Sequence, residues 1–444
     1  MPAERTDGGV LAGPTPARLE SILGVKSDEI LLAFLAFAYF FLLLCGYFVI
    51  RPIRDNMGIE FGTARLPYLF GYIFAVMLAA VPLYGWVVSR FPKGRIVPIA
   101  YGCFGVQILA FYFLLRSSID QMAIAPVFFV WVSVFNLFVV SIFWSYMVDV
   151  FSPDRANRLF GFIAAGGTLG ALVGPLITQA LVRYVGIPDL LLISFAFLLA
   201  ALFCVLLINR IAGGMPASAP SGQRVGESAF SGLIRVCKSR HLRMIAIWVF
   251  LGDILSTILY LEQQTIVGQT IANSDARVQL LARLDLATSL LTVLLQVLVT
   301  EKIIRHLGVG FAMAVLPIIT IGCFMGLAFA PTLAAIAIAQ VVSHGFGFGI
   351  TNPARHILFS TVSLDEKYKA QNVVDTLVQR SGDAAGGSCF AALLSGAGLG
   401  LAVISAVAIP VTAFWLALCG GLGRRHNEAL GRLQGRNDAA ATGG

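Results

Sequence analysis

Long runs of apolar residues, each close to the roughly 20 needed to cross a bilayer as a helix, follow one another along almost the whole of this chain. We count twelve of them, at 29–50, 66–89, 96–115, 122–148, 159–182, 187–208, 244–266, 281–300, 309–330, 332–352, 371–396 and 400–422. A chain patterned this way has few folding options. In hydrocarbon every backbone N–H and C=O must be satisfied internally, so spanning segments are helices or closed barrels, and runs of this length specify helices. Composition agrees, since charged residues make up 12% of the 444 against about 25% in soluble domains. The expected fold is an all-α integral membrane protein of twelve transmembrane helices. The first apolar run follows residues 1–28 and lacks a small-residue cleavage site, so it reads as a span and not as a signal peptide.

Lys and Arg set the orientation, because cytoplasmic loops retain positive charge. With the N-terminus inside, the outer loops hold only Arg65, Arg116, Arg183 and Arg277, and most of the 31 basic residues fall on the inner side. Both termini are therefore expected in the cytoplasm, with the chain in a bacterial inner membrane. This asymmetry accounts for the net charge of +8, and nucleic-acid binding is not needed to explain it. Of the seven cysteines, only Cys237 lies outside the apolar spans, and no CxxC or Cys/His spacing suggests a metal. No cofactor is expected, and no phosphate loop, GxSxG or HExxH motif suggests an enzyme.

The longest polar stretch, 209–243, carries Gly213, Gly214, Pro216, Pro220, Gly222 and six basic residues. It divides the chain into a cytoplasmic segment 1–28, a six-helix bundle 29–208, a cytoplasmic linker 209–243, a second six-helix bundle 244–423 and a tail 424–444. Weak repetition supports two pseudo-symmetric bundles. Ser152, Asp154 and Arg158 recur as Ser363, Asp365 and Lys369, and Gly170 and Gly174 recur as Gly382 and Gly386. With Gly166, the first glycine pair forms a ridge that lets helix backbones approach closely. Six plus six spans about a long inner loop is the layout of major-facilitator carriers. The loop Gly85-Trp-Val-Val-Ser89-Arg90-Phe-Pro-Lys93-Gly-Arg95 resembles their signature, with Ser89 where that family has Asp.

Ionisable residues inside spans are costly and usually face a water-filled path. Span one ends Arg51-Pro52-Ile53-Arg54-Asp55, with the two arginines on one helix face and Pro52 loosening the helix. The structural reading is a snorkelling pair at the interface. Span seven ends Tyr260-Leu261-Glu262-Gln263, where Glu262 reads as a counter-ion or protonation site, and span eight opens Arg283-Leu284-Asp285, which also suits an adjacent interfacial pair. Span ten ends with Asn352 and Arg355. Lys369, Asn372, Asp375 and Arg380 then share a broad helix face, with Asp383 close by. Lys369 alone also fits an interface anchor. His344, amid glycines, suits either proton carriage or a hydrogen bond within a helix kink.

These segments together resemble the nucleotide transporter family, the ATP/ADP translocases, and more closely its shorter major-facilitator-like bacterial relatives. Arg54-Asp55 falls where translocases have Lys-Asp. The stretch from Asn157 to Gly167 resembles the relatives, and Asn352-Pro353-Ala354-Arg355 with Leu364 to Asp375 resembles an Asp-Pro-Cys-Lys-Glu block and its continuation. Asn352, Arg355 and His356 depart from that block. The resemblance implies a nucleotide or organic phosphate as solute. The expected function is alternating-access carriage of a small anionic solute by a monomer. Arg51, Arg54, Arg283 and Arg380 would bind it, and Glu262, Asp285, Asp375 and Asp383 would balance the empty site. Exchange follows if unpaired arginines resist reorientation. A proton-coupled carrier using Glu262 or Asp375 is the competing transport reading, and a receptor or scaffold that kept the fold is a third.

Overall fold

A computed structural model describes residues 30–90, 93–212, 233–361 and 370–442. Lys369, with Ser363 and Asp365, lies outside the described residues, as do residues 1–28 and most of the expected linker. Every regular element among the described residues is helical. In chain order they are α1 (Ile30–Phe61), α2 (Leu66–Arg90), α3 (Lys93–Arg116), α4 (Gln121–Val150), α5 (Pro153–Ala212), α6 (Arg240–Thr270), α7 (Ser274–Leu295), α8 (Glu301–Phe329), α9 (Leu333–Phe346), α10 (Asn352–Leu358), α11 (Gln379–Ala391) and α12 (Leu401–Thr442). Wide π-helical turns at Gln296–Thr300, Gly347–Thr351 and Val374–Val378 join α7 to α8, α9 to α10, and lead into α11.

Nine helical runs among the described residues are long and apolar enough to cross a membrane. Two of them, Arg158–Ile211 and Ser274–Phe329, run for 54 and 56 residues, about 80 Å each at 1.5 Å per residue. That is well over twice the roughly 30 Å of a hydrocarbon core. Each is broken once, at Gly186 (φ 78°) and at Gly308 (φ 80°), where an L-residue with a Cβ would be strained. Other helices start on side-chain caps: Asp120 accepts from the Met122 N–H, Ser239 from Leu242, Asn273 from Ala276 and Thr332 from Ala335. Large apolar side chains such as Tyr72, Val106, Phe113, Phe203 and Val297 are exposed on the outer surface, as a lipid-facing wall requires.

The interior has two apolar cores. One is built from α1, α3, α4 and α5, the other from α6 through α12, and Leu66, Leu69, Ile73 and Met77 of α2 pack into the second. The glycine ridges explain the tightest helix pairs. A Cβ on Gly170 would lie 2.6 Å from the Phe41 carbonyl and 3.1 Å from the Leu44 Cβ, and one on Gly174 2.7 Å from both the Cys45 carbonyl and the Phe48 Cβ. In the second half a Cβ on Gly382 would lie 2.9 Å from the Phe250 carbonyl and 2.8 Å from the Asp253 Cβ. One on Gly386 would meet the Ile254 carbonyl at 2.8 Å and the Thr257 Cβ at 2.9 Å. All four contacts correspond, so α1 on α5 and α6 on α11 are the same packing unit used twice, and Asp253 stands where the first half has Leu44.

Candidate functional site

Two clusters of buried and half-buried charge lie inside the helical array, one on α1 and one on α6 and its neighbours. The first is at the end of α1. Residues three apart on a helix lie about 60° apart around its axis, so Arg51 and Arg54 share a face. Arg54 donates to Asp55 Oδ1 from Nε at 2.9 Å and from a terminal nitrogen at 2.6 Å, and its guanidinium lies 5.1 Å over the Phe129 ring. The Tyr260 hydroxyl, from α6, donates to the same carboxylate oxygen at 2.8 Å. Arg51 pairs with Asp285 of α7 at 3.5 Å. Both contacts join the two halves of the chain. Pro52 does not interrupt α1, which runs on to Phe61.

The same end of the molecule is closed by further contacts between the halves. Glu60 accepts from the Ser274 hydroxyl at 2.6 Å and pairs with Arg277 at 3.1 Å. The Gln279 amide donates to the Gln179 carbonyl at 3.0 Å. A Cβ on Gly268 would lie 2.9 Å from Ile59.

The second cluster belongs to α6, α10 and the α11 segment. Arg355 pairs with Asp375 at 3.1 Å and Arg380 with Asp383 at 3.0 Å. The Thr257 hydroxyl donates to Asp383 at 3.1 Å. A cavity of about 260 Å³ opens here, its wall including Asp253, His344, Asn352, Arg355, Arg380 and Asp383. Arg51, Arg54, Asp55 and Asp285 do not line that cavity; the two clusters are linked through α6, which carries Tyr260 to the first and Asp253 and Thr257 to the second. Buried arginine and carboxylate together are stable only when paired. A solute anion entering here would exchange one guanidinium partner for another, and a guanidinium binds phosphate or carboxylate with two parallel N–H donors.

Several expected site residues are placed differently from the sequence reading. Residues two apart point about 200° apart around a helix. With Tyr260 turned to Asp55, Glu262 faces the other way and is fully buried, where the Ser405 hydroxyl of α12 donates to it at 2.8 Å. It does not line the cavity. The same geometry parts Arg283 from Asp285: Asp285 goes to Arg51, and Arg283 is exposed, so the adjacent pair does not form. Gln263 is buried beside Gln264, and Asn372 is half-buried with its backbone carbonyl accepting from Thr376 at 2.6 Å. His344 Nδ1 donates to the Gln340 carbonyl at 3.2 Å, the kink-type hydrogen bond, while its ring borders the cavity. The sequence reading missed Asp253. A single acid within the apolar Ile245–Ile258 stretch was signal enough.

The chain also compares with known proteins. A sequence model of the Major Facilitator Superfamily matches residues 145–387. The chain is 20% identical to ADP,ATP carrier protein 2 of Chlamydia pneumoniae, over 86% of each chain. Among solved structures it is similar to a bacterial homolog of the human lysosomal transporter Spinster, in an inward-facing and unoccupied conformation. That match has a TM-score of 0.55 at 15% identity, covering 91% of this chain and 98% of the other. It is also similar to a point-mutant form of the nucleoside transporter NupG, with a TM-score of 0.51 at 12% identity, covering 91% and 100%. With a family model spanning more than half of its length, a helical fold of matching extent and charges gathered inside it, this chain belongs to the Major Facilitator Superfamily.

Proposed function

We propose that this multi-pass membrane transporter carries a small solute with an anionic group, of the organic phosphate or nucleotide class, by alternating access. The observation that carries the reading is the set of four interior arginines, Arg51, Arg54, Arg355 and Arg380, each held by a carboxylate. One of these ion pairs, Arg51–Asp285, joins the halves, and Asp55 of a second is hydrogen-bonded across them by Tyr260. Guanidinium groups are suited to phosphate because they stay charged and bind it bidentately. The carboxylates keep the empty site tolerable, and the solute takes their place when it binds. Similarity to a protein named as an ADP,ATP carrier and to one named as a nucleoside transporter supports the nucleotide class.

In this reading the chain divides into twelve spans, with α5 and the α7–α8 run each crossing twice about Gly186 and Gly308, and the stretch 370–396 forming the remaining span. Bundles at 29–208 and 244–423, both termini cytoplasmic in an inner membrane, and a working monomer complete it. The closed end around Glu60 and Arg277 then faces outward and the site opens to the cytoplasm. Glu262, buried with its Oε2 unpartnered among the described residues, favours the competing proton-coupled reading. Its position away from the cavity weighs against that.

A thermal-shift screen of purified protein against nucleotides, sugar phosphates and dicarboxylates tests the solute class. A ligand at a hundred times its Kd stabilises the folded state by about 2.7 kcal/mol, enough to raise Tm by several degrees. Stabilisation by phosphate esters is the expected result. No response to any anion, with uptake driven by a pH gradient alone, would overturn the proposal.

A further inference from the structure

Asp253 is the charge this site does not account for. It lines the cavity, forms no ion pair within 4 Å among the described residues, and its Oδ2 is buried without a hydrogen-bond partner. Around it Arg355 is taken by Asp375, and Arg380 by Asp383. The described residues of the cluster therefore set three carboxylates against two guanidiniums. Packing does not require an acid here. The equivalent position in the first half, at the same glycine contact, is Leu44, and the position equivalent to Asp383 is Ala171. The fold builds this helix pair twice and gives it carboxylates only where the cavity is. An unpaired carboxylate in such a place is costly to keep, which points to a partner supplied by the solute. Trp248 and Trp415, packed together with ring centroids 5.0 Å apart and nearly fully buried, back the same cavity beside Asp253.

We infer that Asp253 is a specificity-determining residue that accepts from an amino group of the solute, while the arginines hold its anionic group. This rests on the proposed function and narrows it to organic anions that also carry N–H donors, either a protonated amine or the amine of an aromatic base. A site built to accept an N–H disfavours the analogue that lacks a donor there, because the buried acceptor is left unmatched, and a carboxylate holds an ammonium more tightly than a neutral hydroxyl because that hydrogen bond is charge-assisted on both sides.

The test measures affinities of the full chain in detergent for two pairs of probes. Adenosine monophosphate against purine riboside monophosphate removes an aromatic amine and leaves no N–H on that edge, and phosphoethanolamine against hydroxyethyl phosphate exchanges an ammonium for a hydroxyl. Wild type is expected to prefer the amino member of one pair by about tenfold or more, the equivalent of about 1.4 kcal/mol, and the pair that responds identifies the kind of amine. Asp253→Asn, nearly the same shape and able to donate, is expected to collapse or reverse that ratio. Asp253→Leu, copying the first half, is expected to collapse it too and serves if the amide variant folds poorly. A wild type that binds anions without preferring either amino member would overturn the assignment, as would a preference that survives both substitutions. Phosphate binding that requires sodium and loses that requirement in Asp253→Asn would also overturn it, since the positive partner would then be a free ion. If wild type binds no anion at all, the transport reading fails and this assignment fails with it.

Discussion

At the scale of single residues, the site depends on pairs whose members are not equally buried. Arg355 is 8% exposed and Asp375 30%, so removing the arginine strands a carboxylate that is only partly able to reach solvent. Losing one partner of a buried pair costs 3–5 kcal/mol, whereas replacing both with well-packed apolar residues is often neutral. Arg355→Met is therefore expected to destabilise the protein by about 2 kcal/mol, after allowing for the exposure of Asp375. Arg355→Met with Asp375→Leu should recover most of that loss. Melting in detergent without solute measures both, and equal losses from the single and double variants would show that the pair is not the stabilising unit. The residues with the clearest sequence signal were those already clustered in a span end, such as Arg51, Arg54 and Asp55. Asp253 stood out only as a lone acid in an apolar run, because Asp383, beside it on the cavity wall, is 130 residues further along the chain and no local pattern joins them. Glu262 misled because an acid in a span reads as a cavity residue, whereas it lies about 200° around α6 from Tyr260 and is buried against Ser405.

At the scale of elements, the controlling feature is the close contact of α5 on α1 and of α11 on α6. A Cβ on Gly386 would stand 2.8 Å from a backbone carbonyl of α6, and backbone cannot rotate out of the way. Gly386→Ala is expected to cost about 1–3 kcal/mol, the range for overpacking. Gly322→Ala, with nothing within 4 Å of the added atom, should be neutral or slightly stabilising, since alanine is the better helix former. Thermal melting compares them, and equal behaviour of the two variants would mean the ridge is not a packing contact. The Gly170/Gly174 and Gly382/Gly386 repeat was legible in sequence because close packing in lipid demands small residues at fixed spacing. The apolar periods likewise revealed the helical class. The apolar runs 159–182 and 187–208, and 281–300 and 309–330, part close to Gly186 and Gly308, where Arg183 and the stretch Glu301 to His306 interrupt them, although the turn itself is confined to one residue.

At the scale of the whole molecule, the halves carry complementary chemistry on equivalent helices. The end of α1 brings Arg51, Arg54 and Asp55, while the corresponding end of α6 brings Tyr260, Gln263 and Gln264. The halves meet at the Asp55–Tyr260 hydrogen bond between these two helix ends and at the ion pair of Arg51 with Asp285 of α7. A cycle in which the halves rock apart at this end must break those contacts, so a solute anion that draws the arginines away is coupled to opening. Counterflow in proteoliposomes tests this most directly: vesicles loaded with unlabelled ADP or another phosphate ester are given the labelled compound outside. Wild type is expected to accumulate label transiently, and Arg54→Ala to lose at least about 90% of that uptake, the tenfold effect of one lost charge-assisted contact. Counterflow by Arg54→Ala equal to that of wild type would contradict the account.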